Sequence, residues 1–245
     1  MPELLFLPAL TQDDHAYDLL GLPGRTALYP STGDRPPEPV TLEGIADEIA
    51  ATITEPVDLV GVALGRIIGQ YLLIRHPGLV RSAVLANTPS GVGDPATLHE
   101  RADAALETGL ASTSEALVTR WFRPSTIAAD AAGVEYIRRM IATLPTESFA
   151  FMQRAMAATD TAAGLPGVRV PVTLVQATDD PVGPDAIGVI HGLIPDSRLV
   201  RIPGAHMVHL DNPEGLRDVV LEHLAWIRSW TPAVRQRTGE RETDE

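Results

Sequence analysis

The chain has 245 residues, 44% of them hydrophobic, and a formal charge of −13. That length suits one α/β domain with a sizeable core and a modest insertion, and the acidity speaks against nucleic acid or an anionic membrane surface as partner. Cysteine is absent and all 19 basic residues are arginine, which excludes disulfides, thiolate catalysis and any lysine Schiff base.

No apolar run approaches the roughly eighteen residues of a membrane span, and Met1, Pro2 and Glu3 form no basic lead-in. Neither a transmembrane helix nor a signal peptide is expected, and the chain reads as cytoplasmic. Leu4–Leu7 reads as a buried strand, residues 13–20 as a short helix and residues 26–29 as another strand. Residues 41–53 read as an amphipathic helix, with Thr41 as its N-cap and Ile45, Ile49 and Ile53 facing inward. Val57–Val62 is a β-branched apolar run of the kind that forms a buried strand. The glycines Gly61 and Gly65 flank Ala63, and a helix burying Ile67, Ile68, Tyr71 and Leu72 runs on until Pro77 stops it. A second apolar run, residues 83–86, closes the unit as a strand.

Residues 91–166 differ in texture: they are Ala-rich and helical in period, with breaks at Gly109, Pro124, Pro145 and Gly164. Their large apolar residues include Trp121, Phe122, Phe149, Phe151, Met152 and Met156. Most of these are expected to pack; Trp121, Phe122 and Met152 are the candidates to line a substrate pocket. Arg120, Arg123 and Arg154 have the charge and geometry to meet a substrate carboxylate. The sheet pattern resumes over residues 170–176 and 198–202, with a helix at Pro184–Leu193 between them. Residues 213–230 read as a last helix with Leu216, Val219, Val220, Leu224 and Ile227 on one face. The tail, 231–245, is polar and expected to be disordered. No internal repeat is present.

The strand, sharp turn and helix around Ala63 have the outline of a G-x-S-x-G nucleophile elbow. The run VGVALGRIIGQYLLIRHPGLVRSAVLANTPSGVG resembles 3-oxoadipate enol-lactonase-like α/β-hydrolases, which read VG-x-S-x-GG-x-x-A-Q, then His-Pro, then VLANT. VTLVQATDDPVGP (172–184) resembles the strand and turn carrying that family's catalytic acid, IPGAHMVHLDNPEGL (202–216) its histidine loop, and TRWFRP (119–124) a cap-helix motif of the lactonases. The resemblance implies an α/β-hydrolase fold: a mostly parallel sheet with helices on both faces, a core of 1–90 and 167–230, and a helical cap at 91–166. The family's N-terminal antiparallel strand pair has no counterpart here. The resemblance places Asp180 on the acid and His206 on the histidine. Asp179 is the rival acid, but the spacing to Pro181 and Pro184 favours Asp180. It also implies an oxyanion hole built from the backbone N–H groups of Leu64 and Leu10.

Four positions depart from the family pattern. Ala63 stands at the nucleophile position, Pro8-Ala9 replaces the His-Gly before Leu10, the stretch 30–39 keeps only Gly33 of D-x-x-G-x-G-x-S, and Arg66 replaces a glycine. A methyl group cannot attack a carbonyl, and the altered turn at Pro8-Ala9 is expected to misaim the Leu10 donor. The favoured reading is a serine-less enzyme acting on a small carbonyl compound through His206 as base and Asp180 as its orienter, in isomerase, epimerase, lyase or cyclase chemistry. Two alternatives stand beside it. One is a lactonase or esterase seen as a Ser→Ala variant, or using His206 to activate water directly; the other is a non-catalytic binding protein. His209 is expected to pack or face solvent, and His15, His76, His99, His191 and His223 carry no motif. No histidine pair has metal-ligand spacing, so neither metal nor cofactor is expected.

Overall fold

A computed structural model describes residues 3–29, 36–87, 94–181 and 184–230. The Gly33 turn, residues 88–93 and the tail from 231 lie outside these. The first strand, β1 (Leu4–Leu7), is buried along its whole length. Before β2 (Arg25–Thr26), the helix expected over 13–20 shrinks to one 3₁₀ turn at Asp18–Leu20. The cause is local. Asp13 Oδ1 accepts from the His15 N–H at 3.0 Å, and the Tyr136 hydroxyl engages both the Asp13 N–H and its carboxylate. Such side-chain bonds give an aspartate's neighbourhood an alternative to helix.

Helix α1 (Leu42–Ala50) begins where Thr41 Oγ1 accepts the Gly44 N–H at 3.0 Å, the expected N-cap. Then come β3 (Val57–Val62), α2 (Leu64–Arg75) and β4 (Val80–Ala86). Five helices lie between β4 and the next strand: α3 (Pro95–Thr108), α4 (Ser114–Trp121), α5 (Pro124–Ala128), α6 (Ala132–Thr143) and α7 (Thr146–Ala157). The chain returns to the sheet with β5 (Val172–Ala177), α8 (Pro184–Leu193) and β6 (Ser197–Ile202). It ends in the short α9 (Val208–Asp211) and the long α10 (Pro213–Ile227).

The six strands form one sheet in the order β2-β1-β3-β4-β5-β6, and every pair is parallel. No antiparallel pair occurs among the described strands. The central strand β3 is buried at every residue, as a strand covered on both faces must be. Helix α2 presses so closely on β1 that a Cβ added at Gly65 would stand 1.8 Å from the Leu7 carbonyl oxygen. A glycine there is what allows the helix to start directly under the strand ends. On α10 the inward row is Leu216, Val219, Val220 and His223, with Leu224 and Ile227 only partly covered. The parallel order brings the carboxyl ends of β1, β3, β4, β5 and β6 to one edge, where open α/β sheets form their sites.

Candidate active site

Ala63 joins β3 to α2 with φ 52° and ψ −116°, a conformation that side chains other than glycine rarely hold. Its N–H donates to the Ala86 carbonyl at 3.1 Å, which fixes the turn against β4. This is the backbone of an elbow, and what it presents is a methyl group. Leu64 is the first residue of α2, so its N–H belongs to the open end of the helix. Leu10 follows β1 in a buried turn. Neither the Leu64 nor the Leu10 N–H meets an acceptor among the described residues. Buried backbone donors without acceptors are rare in folded proteins and mark places where a ligand oxygen can be received.

His206 and Asp180 come together from the ends of neighbouring strands. Asp180 follows β5, and His206 lies in the loop after β6. Asp180 Oδ1 and Oδ2 stand 3.1 and 3.2 Å from His206 Nδ1. Both side chains are largely covered, 7% exposed for Asp180 and 13% for His206. A carboxylate facing Nδ1 accepts a hydrogen bond from the N–H of that nitrogen, which fixes the tautomer and leaves Nε2 as the basic atom. Asp179 is exposed and accepts instead from the Thr178 hydroxyl at 3.2 Å.

Two residues that the sequence reading did not place in the site shape this pair. The first is Asn87, which leaves β4 with φ 59°. Its Nδ2 donates to the carbonyls of Ala205 and His206, each at 3.0 Å, while its Oδ1 accepts the Ala177 N–H at 2.8 Å. One buried amide thus ties the histidine loop to the strand that delivers Asp180. The second is Arg66, fully buried three residues after Ala63. Burial pushes its guanidinium well below the ordinary range, and the Asp180 carboxylate opposes that shift.

The residues named as pocket candidates are all buried: Trp121 and Phe122 end α4, and Met152 lies on α7. The Trp121 carbonyl accepts the N–H of Met207, next to His206, at 3.1 Å. Of the three candidate arginines, Arg123 is committed to Asp211 through Nε at 2.7 Å, and Arg154 to Asp103 at 2.7 Å. Arg120 is exposed. Among the described residues no group of three or more His, Asp or Glu could hold a metal ion, and no helix is long and apolar enough to cross a membrane.

A parallel sheet with helices on both faces, a tight turn at the end of its central strand and a His–Asp pair after neighbouring strands together define an α/β-hydrolase fold. The chain belongs to the alpha/beta hydrolase family, whose pattern it matches over residues 2–219. It is 26% identical over 166 residues to 3-oxoadipate enol-lactonase 2 of Acinetobacter baylyi, a match covering 65% of this chain and 60% of that protein. Among solved structures, a hydrolase from Pseudomonas aeruginosa superposes with a TM-score of 0.83 at 25% identity, covering 91% of this chain and 89% of the other. The enol-lactonase from Burkholderia xenovorans gives a TM-score of 0.83 at 21% identity, with 91% of each chain covered. That last likeness is one of fold.

Proposed function

We propose that this protein acts on a small carbonyl compound by general-base chemistry without a covalent intermediate, with His206 Nε2 as the base and Asp180 as the carboxylate that orients it. The observation that supports this is the 3.1 Å contact between His206 Nδ1 and Asp180 beside an elbow that carries Ala63. An acyl-enzyme has no atom to form on. Hydrolysis of a lactone or ester by water is the form of this chemistry nearest to the relative's activity. The water oxygen adds to the carbonyl carbon while Nε2 takes its proton. The oxyanion is received by the N–H groups of Leu10 and Leu64, and the C–O bond then breaks as the imidazolium returns the proton to the departing oxygen. A second reading, removal of a proton from substrate carbon in isomerase, epimerase, lyase or cyclase chemistry, uses the same base. It is favoured by Ala63 alone and has no counterpart in the relatives named above.

The test is a single turnover of dihydrocoumarin or 4-nitrophenyl acetate in ¹⁸O-water, beside the substrate and product recovered from ²H₂O. Hydrolysis by direct water attack puts the label in the carboxylate within one turnover, and carbon-acid chemistry puts deuterium next to the carbonyl. His206→Ala is expected to abolish either, and Asp180→Asn to lower the rate roughly 10²- to 10⁴-fold. Full activity in His206→Ala would refute the reading.

A further inference from the structure

The base and its carboxylate leave unused a second buried polar group on the other side of the site. Gln12 is fully buried, and its Oε1 accepts the Ala9 N–H at 2.9 Å and faces His209 Nε2 at 3.1 Å. An amide oxygen only accepts, so His209 carries its proton on Nε2 and leaves Nδ1 bare. That nitrogen is buried and has no partner. Burial, with a smaller contribution from His206, pushes this imidazole down to about 3, so it stays neutral. His209 lies on α9, three residues after His206, and Gln12 lies two residues after Leu10. The ring of His209 packs at 4.9 Å on Tyr17, whose hydroxyl donates to the Leu7 carbonyl at 2.7 Å and accepts the Val62 N–H at 3.1 Å. The loop after β1, the residue before Ala63 and the helix after His206 are thereby joined through three side chains.

The loop needs such a tie. Thr11 is buried at φ 67°, a strained conformation for a β-branched residue. Fixing the Ala9 N–H sets the peptide plane next to the one that carries the Leu10 N–H. We propose that Gln12 is a positioning residue, whose side-chain carbonyl, held by His209, keeps the Leu10 donor in register with His206. The catalytic part of this inference rests on the base role assigned to His206 above.

Two measurements test it. Without substrate, ¹⁵N spectra of Gln12→Leu should show the Leu10 amide and the His206 ring signals moving together. A control change in the core, Thr173→Val, should move neither. With dihydrocoumarin, Gln12→Leu should lower kcat roughly 10²-fold, as expected when one oxyanion donor is misplaced, with KM within about threefold of the starting protein. His209→Phe keeps the ring packing on Tyr17 but removes the donor to Gln12. It should lower kcat similarly, and the double variant should lose no more than either single one. If Gln12→Leu does not fold, His209→Phe alone carries both readouts. Unchanged Leu10 and His206 signals would overturn the coupling whatever the reaction is. A dead His206→Ala beside an unimpaired Gln12→Leu would overturn the coupling and leave the base intact, and an active His206→Ala would overturn the base and leave the spectroscopic result standing.

Discussion

Ala63 holds a conformation that its own Cβ opposes. A non-glycine residue at φ 52° and ψ −116° costs on the order of 1–3 kcal/mol, and sites with such strain are typically functional. Glycine would relieve it while losing more chain entropy on folding, roughly 0.5–1 kcal/mol. Ala63→Gly should therefore stabilise the protein by about 1 kcal/mol in urea denaturation, and a clear destabilisation would mean that the turn is not strained.

Single residues also show where reading the chain succeeds. His206 and Asp180 sit in loops whose neighbours follow a fixed spacing, so each can be placed from a dozen contiguous residues. Ala63 is placed by two glycines that close packing requires. Asn87, Gln12 and His209 escape because their roles are hydrogen bonds across the fold. Gln12 and His209 are 197 positions apart, and no periodicity carries that pairing. His209, expected to pack or face solvent, packs fully buried and also meets an amide across the fold. The same amide accepts the N–H of Ala9 in the altered turn before Leu10, a bond that the local sequence does not announce.

Between elements, the helical segment is fastened to the sheet by charge. Asp211 closes α9 with its side chain fully enclosed, accepting the Arg123 N–H at 3.1 Å, Arg123 Nε at 2.7 Å and the Ala205 N–H at 2.8 Å. Removing one partner of a buried pair leaves the other uncompensated, which costs about 3–5 kcal/mol. Asp211→Ala should lose that much stability in urea and also loosen the loop that ends at His206. A loss below about 1 kcal/mol would place the pair effectively in solvent. Most strands and helices were legible because apolar runs and 3.6-residue patterns are local. The stretch at 13–20 was not, since the Tyr136 hydroxyl that holds Asp13 comes from α6, more than a hundred residues downstream.

Across the whole molecule, the formal charge of −13 draws attention to acid groups, yet two histidines set the expected response to acid. His209 and His223 are both pushed down to about 3, chiefly by burial; His206 adds to the first shift, and Arg198 with Arg81 to the second. His223 Nδ1 stands 2.8 Å from Thr173 Oγ1, whose oxygen already receives Arg198 Nε at 2.8 Å. A neutral imidazole can accept that hydroxyl's O–H at Nδ1, whereas a protonated one can only donate. In the unfolded chain each ring titrates near 6.5. Above that pH both states are neutral and the rings add no pH dependence. As pH falls from about 6.5 toward about 3, the unfolded chain takes up protons that the folded one refuses, so stability drops. The slope approaches about 1.4 kcal/mol per pH unit for each ring, which amounts to a loss on the order of 4 kcal/mol between pH 7.5 and pH 5 for the two together. His223→Gln keeps an acceptor for Thr173 and removes one titrating ring. Urea curves at the two pH values should show the variant losing about half as much stability as the parent, and equal losses would mean that His223 opens to water before it charges.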